Sequence, residues 1–171
     1  MDFKLLLEDK SLKPKEKTET LGQWVLDNPK IVNDLIEFAK VSKDPIKATC
    51  IEAIEFATKT NPNIATKSWL EFVTQTLTDK APRIKWESAK VVGNIAHLFP
   101  KDLETGIGNL LINSEHIGTV VRWSTAYALG QIIKIKSPLN KELIPTAEAI
   151  IEREEKNSIK KIYLEALKKV K

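Results

Sequence analysis

The sequence predicts an all-α chain of stacked helical hairpins, and two observations carry that expectation. The first is a stretch that occurs twice. Residues 84–96 read IKWESAKVVGNIA and residues 121–133 read VRWSTAYALGQII. Superposed, Ile84 matches Val121, Lys85 matches Arg122, Trp86 matches Trp123, Ala89 matches Ala126, Val92 matches Leu129 and Gly93 matches Gly130, always at an offset of 37 residues. A fixed period of roughly 20 to 50 residues marks a stacked repeat. The second observation is apolar spacing of helical period. Cys50, Ile54 and Ala57 share one stripe, and Val91, Ile95 and Leu98 share another. No alternating pattern and no Asn-Gly or Asp-Gly signal argues for strands.

The elements follow in order. A short helix is expected over 2–9 and a second over 14–27, with the mostly polar stretch 8–20 closing the N-terminal end of the stack. Helix pairs follow at 30–42 and 45–60, 63–78 and 82–98, 101–113 and 118–135, and 141–154 and 157–170. Asn28-Pro29, Asp44-Pro45, Asn61-Pro62 and Ser137-Pro138 each set a capping side chain before a proline, a helix-start signal. Ala81-Pro82 and Phe99-Pro100 supply the proline alone. Each pair is too small to bury its apolar faces, so stacking makes one continuous core. The whole of 1–171 then reads as one domain, with capping helices at 1–27 and units at 28–60, 61–98, 99–136 and 137–171. Two further copies are degenerate: IKATCIEAIEF at 46–56 puts Glu55 where Gly93 stands, and IKKIYLEAL at 159–167 is followed by Lys168. Terminal units of an array are commonly atypical.

Composition sets outer limits. The chain has 171 residues, 42% apolar and 29% charged, enough for a sizeable core in a soluble domain. One cysteine, Cys50, allows no internal disulfide and no cysteine metal cluster. The N-terminus MDFKLLLEDK lacks a signal-peptide pattern, and no run approaches the length of a membrane span. These features are those expected of a cytoplasmic, soluble monomer.

VRWSTAYALGQI resembles the second helix of a HEAT repeat, closest to the HEAT-like, phycobilisome-lyase-like variant with its valine-arginine, small residues and Ala-Leu-Gly. Leu143-Ile144-Pro145 resembles the start of that family's first helix. The resemblance covers roughly 28–170 and is specific at the units beginning at 84 and 121. It implies a right-handed α-α superhelix of about four to five hairpins whose second helices line the concave side. It implies no single activity, because function sits in sites rather than folds.

Lys47, Lys85, Arg122 and Lys160 occupy one place at the start of each second helix. In the family this side chain commonly bonds the turn of its own or the next repeat, and Asp44 is a candidate partner for Lys47. Trp86 and Trp123 follow the ladder residue, at a site the family pattern turns toward concave solvent. Tyr127 lies one turn beyond Trp123, and Lys90 one turn beyond Trp86. Arg83, Lys85, Trp86, Lys90, Arg122, Trp123 and Tyr127 therefore form a candidate concave binding strip. Two readings stay open: exposed indoles that stack on a ligand, or indoles packed between helices. Trp24 and Trp69 fall outside the pattern and are expected in the core.

Net charge is +4, and the second helices carry the positive excess. A basic inner face would attract acidic segments or phosphates. A solvated lysine-rich tail at 160–171 accounts for part of that charge without any partner.

Candidate catalytic groups are sparse. His97 and His116 sit on different units outside any metal-binding spacing. His97 is expected in the core and His116 in a turn. Cys50 reads as a small core residue. Gly106 and Gly108 form a lone GxG within an apparent helix. HEAT-like alkylbase DNA glycosylases hold DNA on a basic, tryptophan-lined face and need a carboxylate there. The nearest here are Glu52, Glu55 and Glu87, with Glu87 expected to point away from its neighbour Trp86. The favoured reading is a non-catalytic module without metal or cofactor, binding a protein partner. The alternative is a DNA-binding relative of those glycosylases, without catalytic activity. No membrane partner is expected.

Overall fold

The computed structural model describes residues 2–171, and ten α-helices lie among them. They are α1 (Phe3–Glu8), α2 (Pro14–Asp27), α3 (Val32–Val41), α4 (Asp44–Thr60), α5 (Lys67–Thr76), α6 (Pro82–Ile95), α7 (Glu104–Asn113), α8 (Thr119–Lys134), α9 (Asn140–Arg153) and α10 (Asn157–Lys168). Each expected helix is present. Pairs joined by short turns form hairpins, and the hairpins stack.

The two layers differ in how tightly they pack. α2 lies on α4, α4 on α6, α6 on α8 and α8 on α10, each along much of its length. The odd-numbered helices pack chiefly on their own hairpin partner and touch one another little. The closely spaced even layer is the inner side of the stack. The α1–α2 pair continues it, since α2 packs on α4 as fully as the later second helices pack on theirs.

Small side chains set that spacing. Ala48, Ala53 and Ala57 of α4, Ser88 and Ala89 of α6, Ser124, Ala126 and Ala128 of α8 and Ala166 of α10 are all buried. The buried glycines Gly93 and Gly130 continue the series. A Cβ on Gly93 would lie 2.5 Å from Tyr127 Cε1 and 3.2 Å from the Ala128 Cα, so the ring and backbone of α8 fill that space. Between the layers, large apolar residues make the core, among them Trp69, Leu77, Ile84, Ile95, Leu110, Leu129 and Tyr163. Each such side chain contributes about 1.5–3 kcal/mol of burial.

Several expectations change. Asn28, Asp44 and Ser137 do not cap α-helices. Pro29–Ile31 and Pro62–Ile64 form single 3-10 turns instead, and Asn61 caps the second of these through Asn63 N at 3.3 Å. Asp44 becomes the first residue of α4 rather than its cap. α6 ends at Ile95 and tightens into a 3-10 turn, Ala96–Leu98. The tighter winding rotates His97 into solvent, so it is not a core histidine. Trp69 is 2% exposed, while Trp24 is half-buried against the core. Cys50 is fully buried, and burial pushes its thiol up to about 12, which fits a packing residue.

Gly93→Ala should cost about 1–3 kcal/mol through overpacking, lowering Tm by about 2–4 °C per kcal/mol. Gly108→Ala, in open space on α7, should add about 0.5–1 kcal/mol by its better helix propensity. Thermal unfolding of the two variants checks the close approach, and equal Tm shifts would refute it.

Candidate functional site

The cation ladder is structural from α2 to α8. Lys17, Lys47, Lys85, Arg122 and Lys160 each stand one turn after the N-cap of an even helix. Lys17 belongs to this set although its helix carries no recognisable copy of the repeat. Lys47 Nζ pairs with Asp79 Oδ2 at 3.2 Å, in the hairpin turn of the next unit. Asp44 is not its partner, because it lies in the same first turn of α4 and the lysine reaches across to the next hairpin. Lys85 Nζ donates to Leu77 O at 3.2 Å and to Asn113 Oδ1 at 3.0 Å. Arg122 Nε and Nη2 hold Glu154 Oε2 and Oε1 at 2.9 and 3.3 Å, and its Nη1 donates to the carbonyls of His116 and Ile117. Lys85 and Arg122 therefore leave the candidate strip. Their heads are committed to the hairpin turns of their own and the next unit, not to the inner face.

The same turns share a second device. Asp79 Oδ1 accepts from Ala81 N at 3.1 Å, His116 Nδ1 from Gly118 N at 2.8 Å and Glu154 Oε1 from Lys156 N at 3.0 Å. In each case the acceptor lies two residues before its donor, which is the N-cap of the following helix. The turn histidine is thus a local cap. Burial pushes the Glu154 carboxyl up, but Arg122 and the Lys156 and Glu155 amides outweigh it and hold the group below its usual value. Asp79 is lowered in the same way against its burial, through the Ala81 and Lys80 amides and Lys47.

The rest of the strip is assembled on α4, α6 and α8. Arg83, Trp86 and Lys90 follow at helical spacing on one face of α6, as do Trp123 and Tyr127 on α8. Trp123 is 41% exposed and stacks on Tyr127, with centroids 6.3 Å apart and planes 8° from parallel. Trp86 is half-buried. The Tyr127 ring sits over Gly93, and its hydroxyl lies 2.6 Å from the Asn94 side-chain amide. With that amide's oxygen toward Thr58 Oγ1 and Lys59 N, its NH2 serves Tyr127 and the Lys90 carbonyl. Burial, then the Glu55 charge, raise the Tyr127 pKa. The phenol is an anchor rather than a base.

The three carboxylates nearest this face in sequence, Glu52, Glu55 and Glu87, all pair with its cations. Arg83 Nη2 pairs with Glu52 Oε2 at 2.5 Å, and Thr18 Oγ1 donates to the same oxygen. Lys90 Nζ lies 2.8 Å from Glu87 Oε2 and 3.9 Å from Glu55 Oε2. Trp86 Nε1 donates to Glu87 Oε1 at 2.8 Å. Glu87 thus does not point away from Trp86. The indole is long enough to reach back over its buried neighbour. Burial raises the Glu87 pKa, and Lys90 and Trp86 only partly offset it. Between α4 and α6 the face is consequently not basic: Arg83 and Lys90 are neutralised in place. Among the described residues, no group of three or more acidic, histidine or cysteine side chains is placed to hold a metal. No described helix is long and apolar enough to cross a membrane.

No protein-family model and no curated protein matches the chain by sequence. Solved structures do match it by shape. A designed armadillo repeat protein in complex with the peptide (KR)4 superposes with a TM-score of 0.70 at 15% identity, over 99% of this chain and 80% of that one. An engineered protein gives a TM-score of 0.67 at 17% identity, over 99% and 79%. The complex of CpcE and CpcF of phycocyanin lyase from Nostoc sp. PCC7120 gives 0.55 at 16% identity, over 82% of this chain and 99% of that one. The fold is a HEAT-like α-solenoid. Its helices form the right-handed α-α superhelix implied by the repeat. At these identities the likeness establishes architecture, not activity.

Arg122→Gln should cost about 3 kcal/mol, since it leaves Glu154, 4% exposed, without its cation. The sign with pH follows from the lowered Glu154 value. Its stabilisation is present above the ordinary glutamate pKa of 4.5 and is lost as pH falls through the folded value. Wild type should therefore lose stability below that pH more steeply than Arg122→Gln. Denaturant titrations across the acid range measure both slopes.

Proposed function

We propose that this HEAT-like solenoid is a non-catalytic recognition module that binds an extended segment of a partner protein across α4, α6 and α8. The observation that carries the reading is the exposed Trp123–Tyr127 stack beside the half-buried Trp86. Rigid aromatics offer large contact area at low entropy cost and dominate protein interfaces. The designed neighbour bound to (KR)4 supports a peptide ligand for this architecture, and the CpcE–CpcF complex supports protein partnership. The units 28–60, 61–98, 99–136 and 137–171 would act as one rigid platform behind the N-terminal pair. A working monomer in the cytoplasm fits the same reading. Phosphate binding draws less support, because Arg83 and Lys90 are paired and Lys47, Lys85 and Arg122 are tied into turns.

Selection of displayed random peptides on the immobilised protein tests the reading without presuming a sequence. Selected peptides should lose at least about tenfold in affinity against Trp86→Ala and Trp123→Ala, with little change in Tm for Trp123→Ala. Peptides indifferent to both variants would overturn the strip. Binding of a DNA duplex that fades steeply with salt would instead favour the nucleic-acid alternative.

A further inference from the structure

The strip has a sign and a spacing. On its α4–α6 side stand Glu52, Glu55 and Glu87 against Arg83 and Lys90. Carboxylates outnumber cations, so the patch keeps a negative charge after its internal pairs are made. Glu52 and Glu55 retain 33% and 14% side-chain exposure. Glu87 is 4% exposed, with Lys90 Nζ at 2.8 Å from its Oε2 and the Trp86 indole N–H on its Oε1. Trp86 meets this group through its edge N–H, and the face of a tryptophan favours a cation. On the α8 side the surface changes character. Val120 and Trp123 are exposed at 51% and 41%, Tyr127 follows one turn on, and none of them is charged.

We propose that the strip is polarised, taking an arginine or lysine side chain over Trp86 and the Glu52–Glu55 carboxylates and an apolar side chain over Trp123. This deepens the peptide-binding reading above and rests on it. Neighbouring helices lie about 8–10 Å apart, and an extended chain advances about 3.3 Å per residue. Trp86 and Trp123 hold equivalent places on adjacent helices. The basic and apolar side chains of the ligand therefore stand about three residues apart. A guanidinium suits the first subsite better than an ammonium, since its plane stacks on the indole while its edge bonds a carboxylate.

The test uses the full chain and synthetic extended peptides that differ at one position, with leucine three residues from arginine, glutamine or glutamate. Binding is read by tryptophan fluorescence. The arginine peptide should bind about tenfold tighter than the glutamine peptide, and the glutamate peptide weakest. Two variants should move the preference in opposite directions. Glu52→Gln should reduce the arginine-over-glutamine ratio several-fold. Arg83→Gln, which removes a competing cation, should increase it. Tm is measured for both, and because the two shifts are opposite in sign, loss of fold in one cannot imitate the pair. Equal binding of all three peptides, sensitive to Trp123→Ala, would overturn the polarity and leave the peptide-binding reading standing. Tightest binding of the glutamate peptide would reverse the assigned sign. No binding of any peptide would count against both.

Discussion

The inner layer works because its helices approach one another closely, and everything on its surface follows from that constraint. Alanine, serine and glycine at the contact positions of α4, α6, α8 and α10 bring the backbones together. A large side chain on such a helix has two places to go. It can lie in the gap left by a glycine, as Tyr127 does over Gly93, or it can stand out from the layer, as Trp123 does. The stacked pair is the outcome of both choices on one helix. The aromatic face is thus built by the packing rule that holds the solenoid together.

Charge is organised by the same geometry. A second helix starts beside the hairpin turn of the next unit, so a cation one turn in meets acceptors of that turn. Lys47 finds Asp79, Lys85 finds Asn113 and Arg122 finds Glu154. Two further cations of these helices are held in the Arg83–Glu52 and Lys90–Glu87 pairs. Glu154 and Glu87 show how environment decides a carboxylate's behaviour. Both are buried, yet backbone amides and a bidentate guanidinium lower the first, while burial with few donors raises the second. The first holds units together, and the second lies under the candidate ligand.

The fold was legible because its signal is periodic. Trp86 and Trp123, Gly93 and Gly130, and the four later ladder cations repeat at nearly constant spacing, and helical period filled in the rest. Lys17 was not legible, because α2 lacks the repeat's consensus and only its packing on α4 reveals its place. The site was half legible. The indoles were found from their register, but Glu87 was turned away from Trp86, and the partners of Glu52 and Glu55 were not foreseen, since the Glu52–Arg83 and Glu55–Lys90 pairs cross between helices at an offset set by packing rather than by the repeat length. Composition gave the charge of the helices without its partners. Helix ends misled where an Asx-Pro pair started a 3-10 turn, and His97 shows how one tightened turn redirects a side chain.

The central claim is that the face around Trp86 and Trp123 is where a partner segment docks. The chain has four tryptophans, so a nitrogen–proton correlation spectrum of labelled protein should show one indole signal for each. Titration with an unlabelled arginine–leucine peptide should move the Trp86 and Trp123 signals progressively and leave those of Trp24 and Trp69 in place. Movement confined to Trp24 or Trp69, or no movement at millimolar peptide, would contradict the account.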